Sequence, residues 1–359
     1  MKKLYFVMAA VLVASMLLTA CGGGGGAATA PDCTKSDVFC AGLVTDTGKV
    51  DDKSFNQGCW EGLQAAKTAG DADWIQYVET TDSKDYDKNI AIFTDAGYDV
   101  IVTCGFNLTN QTYEAAKKNP NISFIGVDQF LLQDDAHPDL PLANLTGLVY
   151  NEDQSGFLVG ALGAWVSKSH KLGGVAGTDL VPPVWRYGEG YKAGAAYADQ
   201  MSGTTTEVTV VYHSDVGFDK TFDDPEWGAT TANSMMDKGV DVIFGIGGKT
   251  GNGGVIAAAQ RGLYGIGVDA DQYFTMTEAQ SRLLSSAMKP LPPPIAELIK
   301  AAKAGSFPGG LFFGPAGYAP FHDLDGEVSA EIKAQMEELL AGILDGSIKT
   351  NVPPVKPAE

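Results

Sequence analysis

The feature that most constrains the fold is the alternation of short apolar runs with longer amphipathic segments. The run 99–103 is rich in Val and Ile, and the segment 83–96 before it has the apolar spacing of a helix. Short β-rich runs separated by helical segments are typical of parallel sheets with helices on both faces. The pattern therefore predicts an α/β fold of doubly wound sheets. Further apolar runs of this kind lie at 39–44, 74–78, 123–127, 207–212, 241–246 and 265–268.

Polar or glycine-rich turns follow several of the predicted strands. Asp46, Asp128 and Asp269 each stand at the end of an apolar run, and Gly247 follows another. Ligands of open α/β sheets bind outside the carboxyl ends of the strands. We therefore expect the functional site at these turns, where glycines such as Gly247 let the backbone approach a ligand.

The chain is long enough for two such sheets. It has 359 residues, and a domain usually has about 100 to 200. Two sheets facing each other across a cleft, joined by hinge crossings near 147–150, after 271 and near 305–311, account for this length. The predicted division is an N-terminal lobe of 38–148 plus 273–306, a C-terminal lobe of 149–272 plus 307–352, and an extended tail, 353–359.

The N-terminus has the pattern of an export signal. Lys2 and Lys3 precede an apolar run over 4–18, which is short of the roughly 20 apolar residues that span a bilayer. A basic start, a short apolar run and small residues at its end are typical of a cleaved leader. Residues 1–20 are therefore predicted to be a signal peptide.

The end of this segment resembles the lipobox of bacterial lipoproteins. Residues 18–21 read Leu-Thr-Ala-Cys, and five glycines follow at 22–26. The resemblance implies that Cys21 carries a lipid and becomes the new N-terminus, with 21–37 as a flexible linker. The protein is then exported and held on the outer face of the membrane or in the periplasm. An ordinary signal peptide ending in a chance cysteine is the alternative.

The charge balance disfavours nucleic acid as a partner. The chain has 25 Lys and Arg against 44 Asp and Glu, a formal net charge of -19. Such a field repels phosphate-rich polymers.

Cys33, Cys40, Cys59 and Cys104 are an even number of cysteines in an exported protein. Disulfides are therefore allowed, and four cysteines have three possible connectivities. Their spacing matches no zinc pattern, so no metal site is expected. Cys33 and Cys40 are interpreted as a staple on the N-terminal extension, and the pairing otherwise stays open.

The segment 43–57 is the most informative in the chain. Asp46 ends a strand, Gly48 allows a turn, and Ser54 is placed to cap the helix that begins there. Phe55 then lies in the first helical turn, close to the strand ends. An aromatic ring at this position either packs inward or lies flat against the ring of a ligand.

This segment resembles the N-terminal signature of the basic membrane protein family, which includes bacterial purine-nucleoside receptor lipoproteins. The blocks 177–194, 241–253 and 266–272 are similar to further family blocks, and they occur in the family order over about 41–345. The resemblance implies a type I periplasmic-binding fold with two lobes. It also implies a nucleoside, and in this family a purine nucleoside, held between the lobes and passed to an ABC permease.

The resemblance assigns roles to particular residues. Two aromatic rings sandwich the base, while carboxylates contact the ribose hydroxyls and the base edge. Phe55 is matched to one ring and Phe222 to the other, although Trp227 and Phe218 are close enough to compete. Trp185, Tyr187 and Tyr191 are expected to pack in the core rather than line the cleft. The ligand-binding residues implied are Asp46, Thr47, Phe55, Asp128, Phe222, Gly247, Asp269 and Lys289.

The physical chemistry of these residues agrees with the resemblance. Ionised carboxylates only accept hydrogen bonds, which suits the hydroxyl donors of a ribose. Stacking of a base on an aromatic ring contributes about 1 to 3 kcal/mol. Thr47 departs from the family pattern, because nucleoside receptors can carry an amide side chain there. One hydrogen bond to the base edge is therefore lost or altered.

The resulting hypothesis is a monomeric binding protein that closes on its ligand by a hinge motion. No catalytic residue and no cofactor are expected, and the chain is not predicted to be an enzyme. A ligand sensor of the same fold is one alternative. An exported nucleoside hydrolase with Asp46, Asp51 and Asp52 around a calcium ion is another, but Asp51 and Asp52 are adjacent and should point apart.

Overall fold

The computed structural model describes residues 30–357. The predicted signal peptide, Cys21 and the glycine run 22–26 lie outside the described residues. Within 30–357, no helix combines the length and the apolar character needed to cross a membrane.

Two six-stranded sheets form the framework, in the orders β11-β5-β4-β3-β1-β2 and β12-β10-β9-β8-β6-β7. All strand pairs are parallel except β10 with β12, which are antiparallel. The prediction of two doubly wound parallel sheets is confirmed. The strands are β1 Cys40–Thr47, β2 Trp74–Thr80, β3 Val100–Cys104, β4 Ser123–Val127, β5 Leu145–Val149, β6 Lys171–Ala176, β7 Glu207–Tyr212, β8 Val242–Ile246, β9 Tyr264–Asp269, β10 Leu283–Met288, β11 Gly310–Phe313 and β12 Gly317–Tyr318.

Helices connect most of the parallel strands, because a parallel pair cannot be joined by a tight turn; β4 and β5, and β9 and β10, are joined by longer irregular segments instead. The helices are α1 Phe55–Ala69, α2 Tyr86–Asp95, α3 Thr109–Lys118, α4 Glu152–Val166, α5 Pro182–Ser202, α6 Phe218–Thr221, α7 Pro225–Asp237, α8 Gly248–Gln260, α9 Pro292–Lys303 and α10 Ala330–Asp345. Short 3-10 turns lie at Ser83–Asp85, Phe106–Leu108, Gln280–Arg282 and His322–Leu324. We name the lobe with the first sheet the N-terminal lobe and the other the C-terminal lobe.

The central strands are buried on both faces, as expected for a parallel sheet covered by helices. In β3, Val100 and Val102 pack in one apolar cluster with Leu63 of α1. Ile101, between them, packs in a second cluster with Phe93 of α2. Successive side chains point to opposite faces of a strand, so helices on both sides are needed to cover them.

The second and third crossings between the sheets differ from the prediction. The chain first crosses after β5, as expected, but it returns only after β10, which pairs with β9 in the C-terminal lobe. The range 273–306 therefore does not belong to the N-terminal lobe as a whole. The third crossing lies between β11 and β12, so the strand Gly310–Phe313, predicted for the C-terminal lobe, completes the N-terminal sheet.

Two buried serines explain why β10 was missed. Ser285 and Ser286 interrupt its apolar pattern, yet both are at most 2% exposed. The hydroxyl of Ser285 donates to the carbonyl of Ala319, and that of Ser286 accepts from the backbone N–H of Gln272. The hydroxyls are thus paired inside the lobe, so a strand with two polar residues is stable there.

Helices α4 and α5 approach each other closely through glycines. Gly156 and Gly160 of α4 face the carbonyl oxygens of Tyr187 and Tyr191. In return, Gly194 of α5 faces the carbonyl oxygen of Phe157, with no room for a Cβ atom. The two helices therefore pack backbone against backbone, which only glycine allows at these positions.

Two disulfides join the four cysteines of the described chain, Cys33 with Cys40 and Cys59 with Cys104. The first is the staple interpreted from the sequence. The second joins α1 to the end of β3, across 45 residues of sequence.

The substitution Gly194→Ala is expected to destabilise the fold. The added methyl group overlaps the carbonyl oxygen of Phe157, and overpacking of this kind costs about 1 to 3 kcal/mol. The measurement is chemical denaturation at neutral pH. Gly326→Ala is the matched control, since a Cβ there meets nothing within 4 Å. Equal stability of the two variants would show that the helix pair has room for a side chain.

Candidate functional site

A cavity of about 650 Å³, including the open space at its mouth, lies where the carboxyl ends of both sheets meet. Ligand pockets usually have volumes of about 300 to 1,000 Å³. Its walls contain all eight residues predicted from the sequence, so the structure brings them together. The lining residues are Asp46, Thr47, Asp52, Phe55, Asn56, Gly105, Phe106, Asp128, Val181, Pro183, Val184, Tyr187, Phe222, Ile246, Gly247, Gly248, Val268, Asp269 and Lys289.

Asp128 and Asp269 occupy equivalent positions in the two lobes. Asp128 follows β4 and Asp269 ends β9, and both have left-handed backbone angles, with φ of 63° and 65°. Such a conformation is uncommon outside glycine and is kept where surrounding contacts fix it. Here the backbone N–H of Asp128 donates to Leu148, and that of Lys289 donates to the carbonyl of Asp269. The two carboxylates are therefore held at the cavity from opposite sheets.

A buried ammonium group pairs with Asp128 and with a further acid, Glu152. Nζ of Lys289 lies 2.7 Å from both carboxylate oxygens of Asp128 and 3.0 Å from Glu152. Burial lowers the pKa of Lys289, but the charges of Asp128 and Glu152 raise it more, so the ammonium stays charged.

The cavity region contains more carboxyl groups than the single ammonium of Lys289 can neutralise. Burial raises the pKa of Asp128 to about 7, although the charge of Lys289 opposes the shift, and Glu152 raises it further. Burial also raises the pKa of Asp269, with Lys289 and the hydroxyl of Ser54 acting in the opposite direction. The cavity thus carries an excess of acceptor groups, which suits a ligand rich in hydrogen-bond donors.

The ring of Phe55 forms one wall beside this cluster. Nζ of Lys289 lies 5.2 Å from its centroid, within the range of a cation–π contact. The rings of Tyr150 and Tyr187 lie 5.5 and 5.9 Å from the same atom. Phe55 is therefore held at the cavity wall rather than in the core.

Phe222 forms a wall on the side of the C-terminal lobe. Its ring lies against Gly177 and Gly247, where a Cβ atom would meet the ring at both positions. Among the competing aromatics, Trp227 stacks on His213 with ring centroids 4.0 Å apart. Neither Trp227 nor Phe218 is among the lining residues, so Phe222 is the aromatic that this loop presents to the cavity.

Asp46 lines the cavity, but its carboxylate oxygens already accept hydrogen bonds from other groups of the protein. The oxygens accept from the hydroxyl of Tyr86 and from the backbone N–H groups of Thr47 and Asn107. Burial raises the pKa of Asp46, and these hydrogen bonds lower it. Thr47 in turn donates from Oγ1 to the carbonyl of Phe218 in the C-terminal lobe, at 3.2 Å.

Asp52, which the sequence reasoning did not place in the site, caps helix α1. Its carboxylate accepts from the backbone N–H groups of Ser54, Asn56 and Gln57 at 2.9 to 3.1 Å. The capping role expected of Ser54 is wrong, because its hydroxyl donates to Asp269 in the other lobe, at 2.9 Å. Burial raises the pKa of Asp52 to about 6, against the effect of the three N–H donors.

Asn56 and Tyr187 were also missed as site residues. Nδ2 of Asn56 donates to Asp52, and its Oδ1 is buried with no protein partner in the described chain. Tyr187, expected in the core, donates its hydroxyl to Asp269 at 3.2 Å and reaches the cavity. Trp185 and Tyr191 are buried, as expected. A helix face that serves both core and cleft has no separate signal in the sequence.

The two lobes meet in a closed arrangement. The carbonyl of Lys53 accepts from Gln272 and from the hydroxyl of Thr275, both at 3.0 Å. The carbonyl of Asp52 accepts from Asn252 at 2.9 Å. One short segment of the N-terminal lobe therefore makes several hydrogen bonds across the mouth of the cleft.

The acids proposed for a calcium-dependent hydrolase have separate partners. Asp46 accepts from Tyr86, Asp52 caps α1, and Asp51 pairs with Lys249 at 3.0 Å. No group of three or more acidic, His or Cys side chains in residues 30–357 is arranged to hold a metal ion. The converging acid cluster that this alternative requires is not formed by these three residues.

An acid-lined cavity between two α/β lobes that are joined by three chain crossings is the architecture of a two-lobed solute-binding protein. The chain belongs to the Bmp family, described as "ABC transporter substrate-binding protein PnrA-like", whose model matches residues 40–312. The resemblance found in the sequence is thereby confirmed. The protein is an ABC transporter substrate-binding protein, a class of exported proteins that bind a small molecule and work with a permease.

Individual proteins support this assignment. The chain is 32% identical over 346 residues to "CD4+ T-cell-stimulating antigen" of Listeria monocytogenes, covering 89% of each chain. It is 28% identical over 331 residues to "ABC transporter nucleoside-binding protein BmpA" of Lactococcus lactis, covering 86% of this chain and 88% of that one. Among solved structures, an ABC transporter solute-binding protein of Aeropyrum pernix matches with a TM-score of 0.73 and 25% identity, covering 87% and 92%.

The buried Asp52 is expected to make the fold less stable as the pH rises. Its folded pKa, about 6, lies above the ordinary value of 3.8. Between these values the folded state keeps a proton that the unfolded chain releases, so unfolding becomes easier with rising pH, by up to about 1.4 kcal/mol per pH unit. Asp52→Asn should therefore flatten the pH dependence of the free energy of unfolding between pH 4.5 and 6, measured by urea denaturation.

Asp95→Asn, at an exposed position of α2, is the control and should keep the wild-type slope. A slope in Asp52→Asn equal to that of the wild type would show that Asp52 is ionised in the folded state throughout this range.

Proposed function

We propose that this protein binds a nucleoside between its lobes, with the base between Phe55 and Phe222, and delivers it to an ABC permease. The observation that carries the proposal is the placement of these two rings in one cavity with Asp128 and Asp269. Each lobe contributes one ring and one acid. A ligand that is both flat and rich in hydroxyl donors matches this set.

The acids supply the polar half of the site. Asp128 and Asp269 lie at strand ends of opposite sheets and are buried to at least 94%. The two oxygens of a carboxylate together offer about four acceptor sites, so each acid can accept from a ligand hydroxyl in addition to its partners in the protein. Vicinal ribose hydroxyls would therefore link the two lobes and stabilise the closed form.

The rings supply the apolar half. Stacking contributes about 1 to 3 kcal/mol per base, and micromolar affinity corresponds to about -8 kcal/mol. Two rings and the acid pair together are sufficient for such an affinity. The name of the Lactococcus relative, a nucleoside-binding protein, supports the same ligand class.

A purine nucleoside is the ligand that we propose first. The buried Oδ1 of Asn56 has no donor among the described residues, and purines offer a larger stacking face than pyrimidines. The hydroxyl of Thr47 donates to the carbonyl of Phe218 across the cleft. It therefore does not replace the hydrogen bond that an amide side chain would make to the base edge. Discrimination among purines would then depend on the remaining wall residues.

We further propose that the protein acts as a monomer held at the membrane by a lipid on Cys21, after removal of residues 1–20. The disulfide between Cys33 and Cys40 fixes the chain to the N-terminal lobe from residue 33 onward, so the tether would be the segment between Cys21 and Cys33. The lipobox-like residues 18–21 support this anchor.

Isothermal titration of the mature protein against adenosine, guanosine, inosine, cytidine and ribose tests the function. Purine nucleosides should bind best, and ribose should bind far more weakly because it lacks the stacking face. Binding of ribose alone would contradict the proposal. Incubation with inosine, followed by chromatography, tests the hydrolase alternative: steady release of free base would show an enzyme.

Phe55→Ala is expected to weaken nucleoside binding about tenfold or more, since it removes one stacking face. Phe222→Ala should have a similar effect. Phe313→Ala, at a ring 55% exposed on β11, is the control and should bind normally. Titration gives the affinity, and circular dichroism checks the fold. Unchanged affinity in Phe55→Ala would show that this ring is only structural.

Thr275→Val is expected to weaken binding by about two- to tenfold, the effect of one hydrogen bond. Its hydroxyl donates to the carbonyl of Lys53 across the cleft, so its loss disfavours the closed form that retains the ligand. Thr277→Val, at an exposed position two residues away, is the control. Equal affinities in titration would show that this contact does not contribute to closure.

A further inference from the structure

The disulfide between Cys59 and Cys104 lies directly behind the cavity wall of the N-terminal lobe. Cys59 is one helical turn after Phe55 in α1, and Cys104 is the last residue of β3, next to Gly105. Both cysteines are fully buried. Phe55 and Gly105 line the cavity, so the bond joins the supports of two neighbouring parts of that wall.

We infer that Cys59 and Cys104 are positioning residues for ligand binding: their bond fixes the ring of Phe55 relative to the segment 105–107. The inference rests on the proposed function, because it assigns the bond a role in nucleoside affinity. Without the bond, the fold is retained but the wall is held less firmly.

The segment after Cys104 is built into the site. The backbone N–H of Asn107 donates to the carboxylate of Asp46 at 3.2 Å, and the carbonyl of Gly105 accepts from Gln129 at 3.0 Å. Gly105 has a φ of 132°, and a Cβ there would meet the side chain of Asp46. A shift of this segment therefore also moves Asp46.

Other contacts hold α1 from different sides. Gly58 packs against Leu291, just before α9, and Gly62 packs against Ile295 of α9. The start of α1 is tied to Asp269 of the C-terminal lobe through Ser54. The disulfide is thus the covalent link between α1 and the strand end of its own lobe.

The other disulfide offers a matched comparison. Cys40 is the first residue of β1, whose last residue, Thr47, lines the cavity. At about 3.3 Å per residue, the strand places Cys40 roughly 20 Å from the ligand. Loss of the bond between Cys33 and Cys40 should therefore affect stability without affecting the cavity wall.

The test compares the double variants C59A/C104A and C33A/C40A with the wild type by hydrogen–deuterium exchange without ligand and by titration with the best-bound nucleoside. In C59A/C104A we expect faster exchange at 105–107 and in the first turn of α1. We also expect the dissociation constant to rise about fivefold, because a wall that is correctly placed only a fifth of the time weakens the apparent affinity by that factor. In C33A/C40A we expect neither change.

A third variant, C59A/C104V, keeps the space filled without a bond, and it should show the same loss of affinity. Native affinity in C59A/C104V, or unchanged exchange at 105–107 in both variants, would overturn the inference. Faster exchange with native affinity would overturn it as well. If the wild type binds no nucleoside, the proposed function fails, while the exchange data still decide whether the bond holds the wall.

Discussion

The buried ammonium of Lys289 is the interaction on which the rest of the structure depends. A charge taken out of water is costly unless it is paired, and this one is paired with Asp128 and Glu152. Glu152 begins helix α4 just after the first crossing, and Lys289 stands at the second, where its backbone N–H donates to Asp269. Ser155 of α4 then donates to the carbonyl of Met288 and accepts from Gly317 at the third crossing. Hydrogen bonds and ion pairs therefore connect the acids of the cavity to all three crossings. A change at the site is transmitted through these contacts to the crossings that join the lobes.

The contacts within a lobe and those between lobes differ in kind. Within the C-terminal lobe, glycines bring α4 and α5 into backbone contact, and in the N-terminal lobe a disulfide joins α1 to β3. Between the lobes, the contacts at the mouth are hydrogen bonds to backbone carbonyls and exposed ion pairs, such as Lys53 with Glu278. Such polar contacts exchange readily with water, whereas close packing does not. The molecule is thus suited to move as two rigid bodies.

The sequence predicted the sheets and the position of the site well, because both depend on local patterns. Uninterrupted apolar runs mark buried parallel strands, and the acids at 46, 128 and 269 mark their ends. The predictions failed where a distant contact decides the outcome. Ser285 and Ser286 are tolerated in β10 because Ala319 and Gln272 satisfy them, and Ser54 does not cap α1 because Asp269 lies within reach from the other lobe. Hydrogen-bond partners so distant in the sequence cannot be recognised from the spacing of neighbouring residues.

The two sheets are completed only around the last crossing, one by the strand just before it and the other by the strand just after it. The edge strand of one is Gly310–Phe313, and that of the other is Gly317–Tyr318. A fragment ending before residue 310 would leave β5 and β10 as bare edges, with unpaired backbone groups open to association with other chains. Neither half can therefore be cut out as a continuous piece of sequence, and both sheets are finished within the same few residues. The smallest unit that can be shuffled, displayed or fused is the whole pair.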